Sequence, residues 1–145
     1  MEKFAFNTTV GLVGGLLNTI FGGWTPALTT LIVFMAVDYI SGLIVAGVFK
    51  KSTKTDTGAL ESRAGFKGLC RKCMMLFMVL VAYRLDIALG SDFVRNTVII
   101  AFIANETISI AENAGLMGIK LPSVITKAVD ILNSKVKEKG DEEDD

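Results

Sequence analysis

The sequence predicts an all-α membrane protein with about three transmembrane helices, preceded by an amphipathic glycine-rich helix and followed by an amphipathic cytoplasmic helix. Of its 145 residues, 51% are hydrophobic, and the charged residues are grouped in blocks. The run from Phe4 to Val37 contains 34 residues without a formal charge, which exceeds the roughly 20 residues that cross a hydrocarbon core. A soluble domain of this length would scatter its charges more evenly.

The N-terminal segment 4–23 is apolar and rich in glycine. On a helix its bulky side chains share one face, and small or polar side chains share the other. A ridge of small residues would let a second helix approach closely: Gly11, Gly15, Thr19 and Gly23. The segment could also lie at the membrane interface or form a frayed lead-in. A cleaved signal peptide is not favoured, because the apolar stretch is too long and lacks a small-x-small cleavage site.

Three segments are predicted to span the membrane: about 26–49, 69–90 and 93–114. The first is the strongest candidate, because Thr25 can cap the helix, Pro26 is tolerated in the first turn, and Asp38 is its one charged residue. The other two are too polar to face lipid on all sides, so one face of each should meet protein or water. Gly42 is expected to serve helix packing, like the N-terminal glycines.

A basic stretch, 50–72, separates the first two spans. The residues expected to fix its topology are Lys50, Lys51, Lys54, Lys67, Arg71 and Lys72. The positive-inside rule keeps this stretch in the cytoplasm, with 50–60 as a loop and the remainder as a short helix on the membrane surface. Anionic lipid headgroups explain its charge without nucleic acid. Three spans place the N-terminus outside and the C-terminus inside, whereas a crossing by 4–22 would make four spans and bring the N-terminus inside.

The predicted membrane domain covers 1–119, and 120–145 forms a cytoplasmic amphipathic helix with an acidic tail. A helix restarts at Leu121-Pro122-Ser123, with apolar residues such as Leu132 on one side and charged residues such as Asp130 on the other. The last five residues, Asp141 to Asp145, are all acidic. Without them 15 basic residues stand against 10 acidic ones, so the rest of the chain carries a net charge of +5.

Polar residues inside the predicted spans are the candidate functional residues: Asp38, Arg84, Asp86, Asn105, Glu106 and Glu112. Asp38 lies twelve positions from both Pro26 and Lys50, about 18 Å from each end of its helix, and Glu106 lies at a similar depth. A charge at the bilayer centre costs at least about 2.5–3.5 kcal/mol, so each needs a partner, a proton or water.

Three interpretations of these residues stay open. They could form a buried ion pair, for example Arg84 with Asp38 or Glu106, that locks the helices together. They could line a hydrated lumen shared among copies of the chain. They could also form a proton-coupled or ion-selective site.

No enzymatic, metal or cofactor site is predicted. The chain has no histidine, which removes the commonest proton shuttle and metal ligand, and it has no nucleotide-binding, nucleophile-elbow or zinc-protease motif. Cys70 and Cys73 form a single C-x-x-C pair beside Arg71 and Lys72. Without a second pair or a histidine, we interpret them as incidental thiols in a reducing compartment.

Four short motifs, in order, resemble the phage-lysis and toxin-secretion holins of the clostridial toxin-secretion type. They are Asp38-Tyr39-Ile40-Ser41-Gly42, Gly65-Phe66-Lys67-Gly68-Leu69 followed by Arg71-Lys72, Leu85-Asp86, and the stretch from Ala104 to Asn113 with Gly115. Each motif is weak alone, but four in the same order and spacing are specific. The resemblance covers about residues 30–118, and it leaves the segment 4–23 and the C-terminal tail unmatched.

The resemblance implies a small protein that accumulates in the bacterial inner membrane and then assembles as a homo-oligomer into lesions. Through them a cell-wall hydrolase (an endolysin) or a secreted toxin would leave the cytoplasm. It implies no catalytic residues, and Asp38, Asp86, Asn105, Glu106 and Glu112 carry over only as polar intramembrane positions. Two other classes stay open: a small ion channel or transporter component, and a scaffold or antagonist that opens nothing.

Overall fold

The computed structural model describes the backbone of residues 1–141 and their side chains apart from 133 and 136–141. The described chain folds into helices only, which confirms the all-α class. The helices are α1 (Glu2–Ile20), α2 (Pro26–Ile44, extended by a π-helical turn Val45–Phe49), α3 (Ser62–Leu89), α4 (Val94–Leu116) and α5 (Ser123–Asp141). Most of the predicted acidic tail, 142–145, lies outside the described residues.

The first predicted span begins and ends where local signals place it. The Thr25 hydroxyl accepts a hydrogen bond from the Leu28 amide at 3.2 Å, and Pro26 occupies the first helical position, where its missing N–H costs nothing. The π-helical turn ends at Lys50, which adopts a left-handed conformation with φ 52°. The result is one continuous helical segment, Pro26–Phe49.

Within residues 1–141, two helices are long and apolar enough to cross a membrane, Pro26–Phe49 and Val94–Leu116. The predicted span 69–90 lies within α3, whose first turns carry the basic residues of the preceding stretch. A crossing by α3, and hence a count of three spans, remains a prediction. The prediction of a separate surface helix before residue 72 is wrong, because α3 runs unbroken from Ser62.

Helices α2, α3 and α4 pack together around one apolar core. Its buried residues come from all three helices: Leu28, Leu31, Met35, Met75, Val79, Ile99 and Ile103. Helix α5 packs against α4, with Val129 buried and Leu132 against the core. The division into a membrane domain and a cytoplasmic C-terminal part remains a prediction.

Helix α1 has no buried residues. A Cβ atom placed on Gly11, Gly15 or Gly23 would meet no other atom within 4 Å, so within one protomer the small-residue ridge packs against nothing. Gly42 differs, because a Cβ there would lie 3.8 Å from the Asn113 amide nitrogen of α4. That distance is an ordinary van der Waals contact, so the packing role of Gly42 remains a prediction.

Candidate functional site

Three ionisable side chains from three different helices meet inside the bundle. The Lys72 ammonium of α3 lies 2.7 Å from a carboxylate oxygen of Asp38 on α2 and forms a second ion pair with Glu106 on α4. Asp38 is 5% exposed and Glu106 is 3% exposed. We call these three residues the ionic cluster. Because one ammonium serves two carboxylates, the cluster ties the three helices together and carries a formal charge of −1.

An amide and a hydroxyl complete the bonding of Asp38. The buried Asn113 amide donates to the other Asp38 carboxylate oxygen at 3.1 Å and to the Ser41 hydroxyl at 2.8 Å. Ser41 in turn donates to the Asp38 backbone carbonyl at 3.0 Å. Both carboxylate oxygens of Asp38 are therefore occupied, as a buried charge requires.

The predicted pairing of Arg84 with Asp38 or Glu106 is wrong. Arg84 is exposed on α3, whereas Lys72 is turned inward. The two positions are twelve residues apart, so at about 100° per residue they point about 120° away from each other. The sequence predicted only that Lys72 helps to fix the membrane topology. In the structure it is the cation that pairs with the buried carboxylates.

A cavity of about 280 Å³, lined by both apolar and polar side chains, adjoins the ionic cluster. The cluster residues line one part of it, together with Ser109 and Asn113 of α4, and Ser52 and Lys54 of the loop between α2 and α3 line another. The cavity thus joins the buried carboxylates to the loop between α2 and α3, whose cytoplasmic location remains a prediction. A space of this size with many polar groups can hold several water molecules.

A second polar group lies around Asp86, at the end of the bundle away from the loop between α2 and α3. Its carboxylate accepts hydrogen bonds from the Val94 and Arg95 amides, both at 2.9 Å, and from the Ser91 hydroxyl at 2.7 Å. A carboxylate here satisfies the free amides of the first turn of α4 and complements the positive end of the helix dipole. Asp86 therefore joins the end of α3 to the start of α4.

Arg95 ties α1 to this end of the bundle. Its guanidinium donates to the Phe21 carbonyl at 2.8 Å and the Gly22 carbonyl at 2.7 Å, and lies 5.9 Å from the ring centre of Tyr83. Gly22 has φ 77°, and a Cβ there would collide with the Tyr83 ring. The backbone carbonyls that follow α1 thus accept hydrogen bonds from a buried cation.

The predicted polar residues divide into two groups. Asp38, Glu106 and Asp86 are buried and bonded, whereas Arg84, Asn105 and Glu112 are exposed. Sequence reasoning did not identify the roles of Lys72, Arg95 or Asn113. Asn113 had a signal, because it closes the fourth motif directly beside Glu112.

Comparison with known proteins gives the family. Residues 15–134 match the bacteriophage holin family. An uncharacterized protein of Listeria innocua is 36% identical over 132 residues, which cover 90% of this chain and 86% of the relative. An uncharacterized protein of Clostridium perfringens is 35% identical over 139 residues, which cover 93% and 97%. A "Probable holin" of Bacillus phage phi105 is 31% identical over 123 residues, which cover 84% and 85%. No solved structure matches the chain.

The chain belongs to the bacteriophage holin family. This confirms the resemblance carried by the four motifs. The family permeabilises membranes and is not enzymatic, so the buried carboxylates are not candidates for acid–base catalysis. Family membership and the two long apolar helices together identify a membrane protein.

Proposed function

We propose that the chain oligomerises in the bacterial cytoplasmic membrane and opens lesions through which a cell-wall hydrolase or a secreted protein leaves the cell. Its membership of the holin family carries this proposal. The ionic cluster supports the mechanism, because it gives one protomer a way to hold its charges inside a membrane before any lesion forms.

The proposed topology has three spans, at about 26–49, 69–90 and 93–114. The basic loop then faces the cytoplasm, as does the segment that follows α4, whereas α5 packs back against α4 in the resting protomer. Under this topology Asp38 lies near the membrane centre, since it is about 18 Å from each end of its helical segment. Cysteines introduced singly at Asn7, Ser52, Ser91 and Ser134, in a background without Cys70 and Cys73, would test the topology by labelling in intact cells.

In the resting protomer, Lys72 and Asn113 satisfy the charge of Asp38 within the bundle. A carboxylate facing lipid would cost at least about 2.5–3.5 kcal/mol, so this arrangement lets single copies accumulate. We propose that crowding lets neighbouring protomers rearrange, so that Asp38 and Glu106 turn from the protomer interior to a shared hydrated lumen. The cavity beside the cluster, which the cluster residues help to line, would be where water first reaches these groups.

Inducible expression in a bacterial host, with and without a co-expressed cell-wall hydrolase that lacks its own export signal, tests the proposal. We expect culture turbidity to collapse abruptly, after a delay, only when both proteins are present, and cytosolic enzyme activity to appear in the medium.

Two outcomes would contradict it. Loss of ions or small dyes without release of protein would indicate an ion channel. Membrane insertion without any leakage would indicate a scaffold or antagonist.

A further inference from the structure

One outward face of α4 carries polar side chains at the depth of the ionic cluster. The residues of this face, here called the α4 stripe, follow one another at intervals of three and four: Val98, Ala101, Asn105, Ile108, Glu112 and Gly115. The last four are exposed and the first two are partly exposed. Buried residues such as Ile103 and Glu106 lie on the other side of the helix. Alternating intervals of three and four are the pattern by which two parallel helices pack.

Asn105 is the polar residue at the middle of the α4 stripe. It directly precedes Glu106, so under the proposed topology it lies near the membrane centre. Its amide is exposed, and among the described residues its side chain makes no hydrogen bond. Lipid chains cannot hydrogen-bond to an amide at this depth, so the Asn105 side chain gains from a partner on another helix.

Two exposed charges lie beside Asn105. The ion pair between Lys72 and Glu106 joins the antiparallel helices α3 and α4. Arg71 and Asn105 each directly precede one member of that pair, so they turn to the same side of the two helices. Glu112 belongs to the α4 stripe, and it lines the cavity together with Arg71 and Asn105. Within the described part of the chain, neither Arg71 nor Glu112 forms an ion pair.

The depths of these two charges are compatible with a contact between copies. Counted from the ion pair, Glu112 lies about 9 Å and Arg71 about 1.5 Å closer to the loop between α2 and α3. Side chains on a helix lean toward its N-terminus. The Arg71 side chain therefore leans toward that loop and the Glu112 side chain leans away from it, which brings the two charged groups closer in depth.

We propose that a second copy of the chain packs on the α4 stripe, and that a two-fold axis along the membrane normal relates the two copies. The Asn105 amides of the two copies would then pair with each other, and Arg71 of each copy would pair with Glu112 of the other. A surface that carries both charges is complementary to itself under such an axis, which favours a second copy over a different protein. One polar residue in an otherwise apolar stripe also fixes the register of two helices.

The inference rests on the proposed insertion and assembly in the membrane, and it identifies the first contact between copies. Asn105, Ile108 and Glu112 line the cavity as well as belonging to the α4 stripe. The contact would therefore place the cavities of two copies on either side of one interface. Merging of the two cavities would give a hydrated space that Asp38 and Glu106 of both copies share.

Disulfide crosslinking in isolated membranes tests the contact. A single cysteine replaces Ile108 or Ile40 in a chain whose Cys70 and Cys73 are changed to serine. Ile40 is an exposed residue of α2 two positions from Asp38, so I40C is the control at a similar depth. At equal membrane levels of the two proteins, we expect I108C to crosslink about tenfold faster than I40C under mild oxidation, because packing holds its thiols at a high effective concentration.

Substitutions in the I108C chain test the individual contacts. R71E and E112R should each slow crosslinking about tenfold, because like charges would then face each other across the interface. Combining R71E with E112R should restore the parent rate. N105A should also slow crosslinking, whereas N96A, at an exposed position near the start of α4, should not. Helix content is checked by circular dichroism, and R71Q or E112Q, with a smaller expected effect, replaces a reversal that does not fold.

The outcomes separate this inference from the proposed function. Faster crosslinking of I40C than of I108C would overturn the inference and leave assembly itself standing, since the copies would meet through another face. Equal background rates at both positions would overturn the inference and also contradict the proposed assembly. Slow crosslinking in the combined reversal, with helix content intact, would likewise overturn the pairing of Arg71 with Glu112.

Discussion

Replacing Lys72 with methionine should make lysis begin earlier. Lys72 is the cation of the ionic cluster, and its ammonium touches both Asp38, at 2.7 Å, and Glu106. Methionine fills a similar volume without charge, so two buried carboxylates would remain side by side with no cation. Removing one partner of a buried ion pair costs about 3–5 kcal/mol.

This free-energy cost destabilises the resting protomer, because its carboxylates are buried. It does not destabilise a lesion in which water solvates the carboxylates. A penalty of about 3 kcal/mol would favour the open arrangement by more than about a hundredfold. The measurement is the time from induction to collapse of turbidity, with a co-expressed hydrolase and with membrane levels of the protein matched by immunoblot. Lys51→Met, on the exposed loop, is the control that removes the same charge elsewhere.

A triple variant separates early opening from simple misfolding. In K72M with D38N and E106Q the cluster is neutral, so the resting protomer should accumulate normally and lysis should be later than in the parent chain. Equal lysis times for Lys72→Met and the parent chain, at equal membrane levels, would refute the role given to the cluster.

Four further predictions concern single positions. Glu106→Gln leaves Lys72 paired with one carboxylate, so it should stabilise the resting protomer by up to about 2.5 kcal/mol and delay lysis, measured by the same turbidity assay. Arg95→Met removes two charge-assisted hydrogen bonds to the end of α1, which should lower the free energy of unfolding by about 2 kcal/mol and speed proteolysis at the joint after α1. Gly22→Ala should cost about 1–3 kcal/mol in thermal unfolding, because alanine is strained at φ 77° and collides with a tyrosine ring. Gly11→Ala, with open space around it, should be neutral or slightly stabilising. Normal stability with altered lysis in Gly11→Ala would indicate that α1 packs between copies.

Helix α2 was predictable because its signals are local. Thr25 and Pro26 mark its start, and a long uncharged run continues from them. The start of α3 was missed because Gly65, Gly68 and several charges resemble a surface segment, whereas the structure packs both glycines against Tyr39 of α2. Composition alone does not distinguish glycines that lie in a helix beside a neighbouring side chain from glycines of a flexible segment.

The role of Lys72 depended on knowing where α3 starts. Asp38 lies eleven residues before the end of its helical segment at Phe49, and Lys72 lies ten residues after Ser62. In an antiparallel pair, the end of the first helix lies beside the start of the second. Asp38 and Lys72 therefore lie at the same depth in the bundle. With α3 assigned to begin at residue 69, Lys72 appeared to lie at the surface. The role of Arg95 was missed for another reason. Arg95 donates to backbone carbonyls, and because every residue has one, no sequence pattern identifies these partners.

Release of protein from vesicles tests most directly whether the chain alone assembles into lesions. The purified chain is reconstituted at increasing protein-to-lipid ratios into vesicles that contain a small dye and a fluorescent protein. We predict almost no release below a threshold ratio, and above it a steep release of dye and protein together. Release of the dye alone, or release of protein that rises in simple proportion from the lowest ratio, would contradict the account.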